Sequence, residues 1–299
     1  MHLLSIDSLS DAQVALILDE GARWFEYNRQ PRRNAKRLDG LTVINAFFEN
    51  STRTLLSFEI AAKRLGAQVV VMQVEQSSIK KGETLEDTAR TLNAMRPDAL
   101  VMRHGTSGAP GKVAALMDCP VINGGDGIGE HPTQALLDAA TIRHRFGRVA
   151  GLKIAICGDL KHSRVARSNI KLLRRLGADL RFAGPPSLMP DDLPACDIDQ
   201  AVEGADVVMM LRVQRERMTE DLGDAPGEYL DRYGLTAARL AKASPTAAIM
   251  HPGPINRGVE IEGDLADDPA RSLIILQVEM GVAVRMACLD LLTAERINP

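Results

Sequence analysis

Short runs of apolar residues alternate along the chain with segments in which apolar residues recur every three or four positions. The runs at residues 43–48, 69–72 and 99–102 predict buried β-strands. After the first run, Leu55, Phe58, Ala62 and Leu65 recur at helical spacing and predict a helix with one apolar face. The same alternation returns in the second half, with runs at 152–157 and 207–211. Strands that alternate with helices are typical of α/β domains with mainly parallel sheets.

Further strands are predicted at 120–123, 180–183 and 247–250, and longer helices at 11–27 and 276–292. The polar segments 76–84 and 215–229 lack apolar periodicity and predict loops. The helix that opens at His131 and Pro132 fades near Gly147. We therefore predict two doubly wound α/β domains that meet near residue 147, joined by interdomain helices.

The segment 43–59 changes from a strand pattern to a helix pattern at Glu49 and Asn50. Ser51 or Thr52 then lies at the N-cap, where the first turn of the helix has unpaired N–H groups. Arg53 is unexpected there, because a cation in the first turn opposes the helix dipole by about 0.3–1 kcal/mol. A bound phosphate would reverse that effect, although an ordinary cap beside a solvated arginine is an equally simple interpretation.

Composition restricts the class of protein. The 299 residues carry a net charge of −3 and include one Trp and three Tyr, which argues against a nucleic-acid surface or a basic membrane surface. The four cysteines are widely spaced, which predicts buried free thiols in a reducing compartment. The N-terminus has no export-signal pattern and no apolar run approaches membrane-spanning length, so a cytoplasmic location is expected.

In open α/β sheets, ligands bind beyond the carboxyl ends of the strands. The residues that follow the predicted strands are mainly cations and hydrogen-bond donors: 51–54, Arg103, His131, Gln134, Asp159, Arg164, Arg212, Gln214 and 251–254. Such a set suits one or two anionic substrates. Each residue alone also fits a cap or a surface charge, so the hypothesis depends on their shared position after strands.

Several other chemistries lack their motifs. No G-x-G-x-x-G follows a strand, and residues 106–113 lack the first Gly and the final Ser/Thr of a nucleotide-binding P-loop. No His/Cys spacing resembles a zinc site, and no G-x-S-x-G occurs. We therefore expect no metal and no cofactor, and a dinucleotide-dependent oxidoreductase is a remote alternative.

The sequence resembles the aspartate/ornithine carbamoyltransferase family from about Leu41 to the C-terminus. Residues 51–59 (STRTLLSFE) resemble its carbamoyl-phosphate motif. Six further segments resemble the aspartate branch of the family specifically: 81–84 (KGET), 102–104 (MRH), 131–134 (HPTQ), 158–161 (GDLK), 212–214 (RVQ) and 251–254 (HPGP). Gly253 stands where some members have Leu or Ala, which leaves any backbone contact intact.

The resemblance implies roles for these residues. It implies that carbamoyl phosphate is bound by Ser51, Thr52, Arg53, Thr54, Arg103, His131, Gln134, Gly253 and Pro254, among which Arg53, Thr54, Arg103 and His131 are catalytic. It implies that L-aspartate is bound by Lys81, Arg164, Arg212 and Gln214. Ser77 and Lys81 would come from a neighbouring subunit of a homotrimer.

The resemblance further implies a carbamoyl-phosphate domain at 1–146, completed by the C-terminal helix 276–299, and an aspartate domain at 147–275. The implied reaction transfers the carbamoyl group to the α-amine of aspartate, the committed step of pyrimidine synthesis. A carbamoyltransferase for another amino acid and a non-catalytic anion-binding partner protein are the alternatives. The sequence leaves open whether regulatory chains or a dihydroorotase join the trimer.

Overall fold

The computed structural model describes residues 1–31, 33, 35–72, 74, 82–213 and 227–297. The chain divides into two compact units. Unit 1 consists of Met1–Ala140 together with the chain from Val278 onward, and unit 2 consists of Thr141–Gln277.

Among the described residues, each unit contains four strands, and helices connect them. The strands are β1 (Thr42–Phe47), β2 (Gln68–Met72), β3 (Ala99–His104), β4 (Val121–Asp126), β5 (Lys153–Cys157), β6 (Asp179–Ala183), β7 (Val207–Met210) and β8 (Ala248–Met250). The helices are α1 (Asp11–Asn28), α2 (Thr52–Arg64), α3 (Leu85–Ala94), α4 (Ala109–Ala114), α5 (Pro132–Phe146), α6 (Arg164–Arg175), α7 (Ile198–Val202), α8 (Glu228–Tyr233), α9 (Ala237–Leu240), α10 (Gly263–Ala266), α11 (Ile274–Leu292) and α12 (Ala294–Ile297). Short 3₁₀ helices lie at Ile6–Ser8 and Pro186–Leu188.

Both sheets are parallel. The sheet of unit 1 has the strand order β2-β1-β3-β4, and the sheet of unit 2 has the order β6-β5-β7-β8. Parallel strands end at the same edge, so β1, β3 and β4 present their carboxyl ends side by side in unit 1. Strands β5, β7 and β8 do the same in unit 2. The predicted two-domain α/β architecture with parallel sheets is confirmed.

Apolar strand residues form the core of each unit. In unit 1, Ile44, Leu100 and Val121 pack with the helical residues Ala89 and Val113. In unit 2, Val208 and Ile249 belong to a corresponding cluster that includes Leu240. Parallel strands covered on both faces are expected to be apolar along their whole length, which is why the runs were recognisable in the sequence.

Helix α11 belongs to unit 1 from Val278 onward. Its Val284 packs closely on α1, where a Cβ added at Gly21 would lie 3.0 Å from Val284 Cγ2. Helix α1 begins as predicted at Asp11, and the hydroxyl of its N-cap, Ser10, accepts from Gln13 N at 3.2 Å in a capping box.

Strand β4 and several short helices differ from the sequence expectations. Helices α7, α8, α9, α10 and α12 were not predicted, and α8 begins at Glu228, inside the segment 215–229 that was predicted to be a loop. Strand β4 continues to Asp126, through the glycines at which the predicted strand ended, because the side chain of Asn123 accepts from Gly125 N at 2.8 Å and donates to Leu4 O at 2.9 Å. Helix α4 was not predicted; it follows Gly108, a left-handed residue with φ 81°. The near-match to a P-loop is therefore a helix start, and the glycine serves the turn before it.

The described thiols are free, with Cys119, Cys157 and Cys288 buried and Cys196 half-buried. This confirms the predicted free thiols, with Cys196 less covered than expected. In the described ranges, no helix is long and apolar enough to cross a membrane.

Candidate functional site

The N-terminus of α2 lies directly after β1 in unit 1. Ser51, one of the two predicted N-cap residues, is the N-cap, but its hydroxyl caps no backbone N–H among the described residues. The carbonyl of Ser51 accepts from Leu55 N at 3.1 Å, so the helix is formed without help from the side chain. The hydroxyl and the first-turn N–H groups are therefore placed for an external acceptor. Thr52 and Arg53 are exposed, whereas Thr54 is buried.

His131 reaches this helix start from the end of β4. Its Nε2 lies 3.4 Å from Thr54 Oγ1, and both side chains are buried. The carbonyl of His131 accepts from Gln134 N and Ala135 N, which fixes the first turn of α5. Residues 77 positions apart are thus brought together because β1, β3 and β4 end at one edge of the sheet.

Arg103 is on β3, the strand that lies between β1 and β4 in the sheet. It lies near the end of β3, and its Nη1 donates to the carbonyl of Gly124 at 3.3 Å. Its Nη2 lies 3.5 Å from Glu49 Oε1, in the turn after β1. Glu49 was not among the predicted site residues, although its place directly after a strand was a usable signal. The carboxylate holds the guanidinium near the helix start without requiring a ligand.

Gln134 is also buried in unit 1, in the first turn of α5. Its Nε2 donates to Asp138 Oδ1 at 3.0 Å. Asp138 is fully buried and was not predicted, although the spacing of four residues on a helix would have shown that the two side chains share a face.

The predicted residues of unit 2 also follow adjacent strands. Arg164 is the first residue of α6, after β5, and is buried; Arg212 comes shortly after β7. Gly253 and Pro254 follow β8 and are joined by a cis peptide bond.

The turn after β5 requires a glycine. Gly158 has φ +122°, and a Cβ added there would lie 2.9 Å from the carbonyl oxygen of Leu211. The next residue, Asp159, is fully buried and accepts from His162 N at 3.0 Å, while its Oδ1 also lies 3.1 Å from His162 Nδ1. His162, two residues before Arg164, was not predicted as a site residue. Its contact with Asp159 was recognised only from the structure.

Glu260 connects the segments that follow β7 and β8. It is fully buried, and its carboxylate accepts from Val213 N at 2.9 Å, from Asn256 N at 2.8 Å and from Asn256 Nδ2 at 2.7 Å. Burial raises the pKa of Glu260, and these hydrogen bonds partly offset that effect. No sequence motif indicated this role.

Three predicted site residues, Ser77, Lys81 and Gln214, lie outside the described residues. Across the described ranges, no group of three or more His, Cys, Asp or Glu side chains could hold a metal ion. The residues that the structure brings together in unit 1 are thus hydroxyls, a helix start, a histidine and an arginine. Such a set binds an anion and stabilises negative charge on an oxygen.

Family models match nearly the whole chain. Residues 1–144 match the carbamoyl-P binding domain of aspartate/ornithine carbamoyltransferases, and residues 150–292 match their Asp/Orn binding domain. The chain belongs to this family. The resemblance inferred from the motifs is therefore confirmed.

Relatives support the same grouping. The aspartate carbamoyltransferase catalytic subunit of Rhizorhabdus wittichii is 60% identical, over 99% of this chain and 95% of that protein. Aspartate transcarbamoylase from Trypanosoma cruzi in complex with carbamoyl phosphate is 33% identical with a TM-score of 0.86, covering 97% of this chain and 95% of that one. Ornithine carbamoyltransferase from Pyrococcus furiosus is 26% identical with a TM-score of 0.88, covering 98% and 97%.

Proposed function

We propose that this chain is the catalytic chain of an aspartate carbamoyltransferase. It transfers the carbamoyl group of carbamoyl phosphate to the α-amine of L-aspartate and releases phosphate, in the committed step of pyrimidine biosynthesis. The observation that carries the proposal is the approach of His131 to Thr54 at the start of α2. The relatives named aspartate carbamoyltransferase support it.

Carbamoyl phosphate is assigned to residues 1–146 with the C-terminal helix 276–299. In this assignment, Ser51, Thr52 and Arg53 bind the phosphate, because hydroxyls, first-turn N–H groups and a guanidinium all favour a dianion. Thr54, Arg103 and His131 bind the carbonyl oxygen. Gln134, with the backbone at Gly253 and Pro254, binds the amino group.

The chemistry follows from where charge develops. When the amine of aspartate attacks the carbamoyl carbon, negative charge builds on the carbonyl oxygen and phosphate leaves. Each donor fixed at such an oxygen is worth about 2.7–4 kcal/mol of transition-state stabilisation. A neutral His131 donates one hydrogen bond without losing its proton, and holding both reactants removes much of the entropic barrier. We assign removal of the amine proton to the departing phosphate.

L-Aspartate is assigned to residues 147–275. Arg164 and Arg212 bind its two carboxylates, which planar guanidinium groups match better than lysine does. Gln214 is assigned to the same substrate. The side-chain ammonium of ornithine would require an acid instead, and the sequence after Met210 and Met250 offers no such motif.

We propose that the enzyme is a cytoplasmic homotrimer, in which Ser77 and Lys81 complete a neighbour's site, with Lys81 contacting aspartate. Exposed apolar side chains in unit 1 support a subunit interface. Leu56 and Ile60 are 48% and 40% exposed on one face of α2, and Val70 is 51% exposed on the edge strand β2. Regulatory chains or a dihydroorotase are compatible additions to this trimer.

A phosphate-release assay tests the function. Purified protein is mixed with carbamoyl phosphate and each of a panel of amino acids, with a reaction lacking amino acid as the blank. We expect release with L-aspartate and formation of N-carbamoyl-L-aspartate. Release with ornithine and none with aspartate would establish the other branch, and no release with any amino acid would establish a non-catalytic role.

A further inference from the structure

Gln134 and Asp138 form a buried pair on the inner face of α5. The side chain of Gln134 is 8% exposed and Asp138 is fully buried, and the Gln134 Nε2 to Asp138 Oδ1 distance is 3.0 Å. An amide has one end that donates and one that accepts, and the two ends have nearly the same shape. Its chemical role in a site therefore depends on which end its neighbours hold.

Asp138 fixes that choice, because an ionised carboxylate only accepts hydrogen bonds. The Gln134 nitrogen must face Asp138, which directs Oε1 away from it. The opposite orientation would bring two oxygens together with no proton between them, inside a buried site.

Arg285 on α11 interacts electrostatically with Asp138. Arg285 is 3% exposed, with its guanidinium 5.0 Å from the centre of the Phe58 ring. Burial lowers the pKa of Arg285 to about 10, and the electrostatic effects of Cys288 and Asp138 act in the other direction. Arg285 therefore still carries its charge at neutral pH, and a buried cation near a buried carboxylate stabilises both charges.

We propose that Asp138 is a positioning residue that holds the Gln134 amide with its oxygen toward the ligand, and so selects a carbamoyl group over an acetyl group. This inference rests on the proposed function. A carbamoyl –NH₂ donates to an amide oxygen, whereas the methyl group of acetyl phosphate has no donor. If the amide were reversed, its NH₂ would face the carbamoyl NH₂, and neither molecule would be preferred.

The variant Asp138→Asn tests the orientation. Its side-chain amide can donate to the Gln134 oxygen or accept from the Gln134 nitrogen, so it removes the fixed orientation with little change in shape. Affinities for carbamoyl phosphate and acetyl phosphate are measured by calorimetry without amino acid. We expect the preference for carbamoyl phosphate to fall roughly 10- to 100-fold, as for one buried hydrogen bond, with acetyl phosphate binding changed less than about threefold.

Asp290→Asn is the matched control. Asp290 is 8% exposed on α11 and pairs with Arg37 at 2.9 Å, so the control makes the same chemical change at another carboxylate of unit 1. It should leave the preference unchanged. If Asp138→Asn does not fold, Asp138→Ser is measured instead, because its hydroxyl both donates and accepts and so removes the fixed orientation.

A folded Asp138 variant that keeps the full wild-type preference would overturn the inference. An equal loss of affinity for both ligands would also overturn it, since a purely structural role predicts that result. Because the preference is measured without aspartate, failure of the wild-type protein to release phosphate with aspartate counts against the proposed function alone.

Discussion

The carboxylate of Glu260 accepts a hydrogen bond from the backbone N–H of Val213 at 2.9 Å, and both residues are buried. The same carboxylate accepts twice from Asn256. One side chain thus connects the backbone next to Arg212 with the segment that contains Gly253 and Pro254, the residues assigned to substrates in unit 2.

Replacing Glu260 by Ala should destabilise the protein by about 2–4 kcal/mol, because one buried donor and two half-buried donors lose their acceptor and each unsatisfied group costs about 1–3 kcal/mol before water relaxes the site. Denaturant unfolding monitored by circular dichroism measures the change. Glu262→Ala is the control, since Glu262 accepts a single exposed hydrogen bond, from Ala237 N. Equal effects of the two substitutions would contradict the importance of the buried acceptor.

Glu260 should also leave a signature in the pH dependence of stability. Its pKa is raised in the folded state, so between the unfolded and folded pKa values the folded protein binds more protons than the unfolded chain. The contribution of this group therefore favours folding most at low pH and declines as pH rises from about 4.5 through the folded pKa. The difference in unfolding free energy between wild type and Glu260→Gln should fall over that range. A difference that stays constant with pH would contradict the raised pKa.

The variant His131→Ala should lower kcat by about 10²–10³, the usual effect of removing one donor from a developing oxyanion. Binding of inorganic phosphate should change little, because the phosphate is assigned to the start of α2. Steady-state kinetics and phosphate inhibition separate the two effects. The matched control is His144→Ala, at an exposed position in the last turn of α5, and it should retain full activity. Full activity of His131→Ala would exclude the assigned role.

Thiol labelling should distinguish Cys196 from the other cysteines. Burial raises the pKa of Cys119 to about 11 and that of Cys157 and Cys288 to about 12, whereas Cys196 is half-buried with a smaller rise. An aromatic disulfide reagent at pH 8 should therefore modify one thiol in the native protein and four after unfolding. Cys196→Ser should remove the reaction of the native protein. Rapid modification of any remaining thiol in that folded variant would show that a buried cysteine is accessible.

Charges introduced at Leu56 and Ile60 should prevent the proposed trimer from forming. In Leu56→Glu/Ile60→Glu, desolvating two carboxylates in an apolar contact is unfavourable, so the mass in sedimentation equilibrium should drop from three times 32.4 kDa to 32.4 kDa. Activity should fall with it, because Ser77 and Lys81 are assigned to a neighbour's site. Met95→Glu changes a side chain that is 67% exposed elsewhere in unit 1, and it should remain trimeric. A charged double variant that still sediments as a trimer would exclude this face as the interface.

Much of the fold was readable in the sequence, because buried parallel strands are apolar runs and helix starts carry caps such as Ser10 and Thr84. The residues after β1, β3 and β4 were readable for the same reason, since strand ends mark the ligand edge. Glu260 was not recognised, because its contact with Val213 joins residues 47 positions apart. Asp138 and His162 were missed although their partners Gln134 and Asp159 are close in sequence, because such short spacings are common and do not by themselves mark a site. The β4 extension was missed because its glycines are held by Asn123 rather than by their own propensity.

Helix α11 has a consequence for biosynthesis. Unit 1 uses residues from both ends of the chain, and Val284 against Gly21 and Arg285 over Phe58 are among its contacts. Unit 1 can therefore close only after α11 has left the ribosome, whereas Thr141–Gln277 is synthesised earlier. Until then, the nascent N-terminal segment exposes the apolar surface that α11 covers. A chaperone would have the largest exposed surface to protect at this stage.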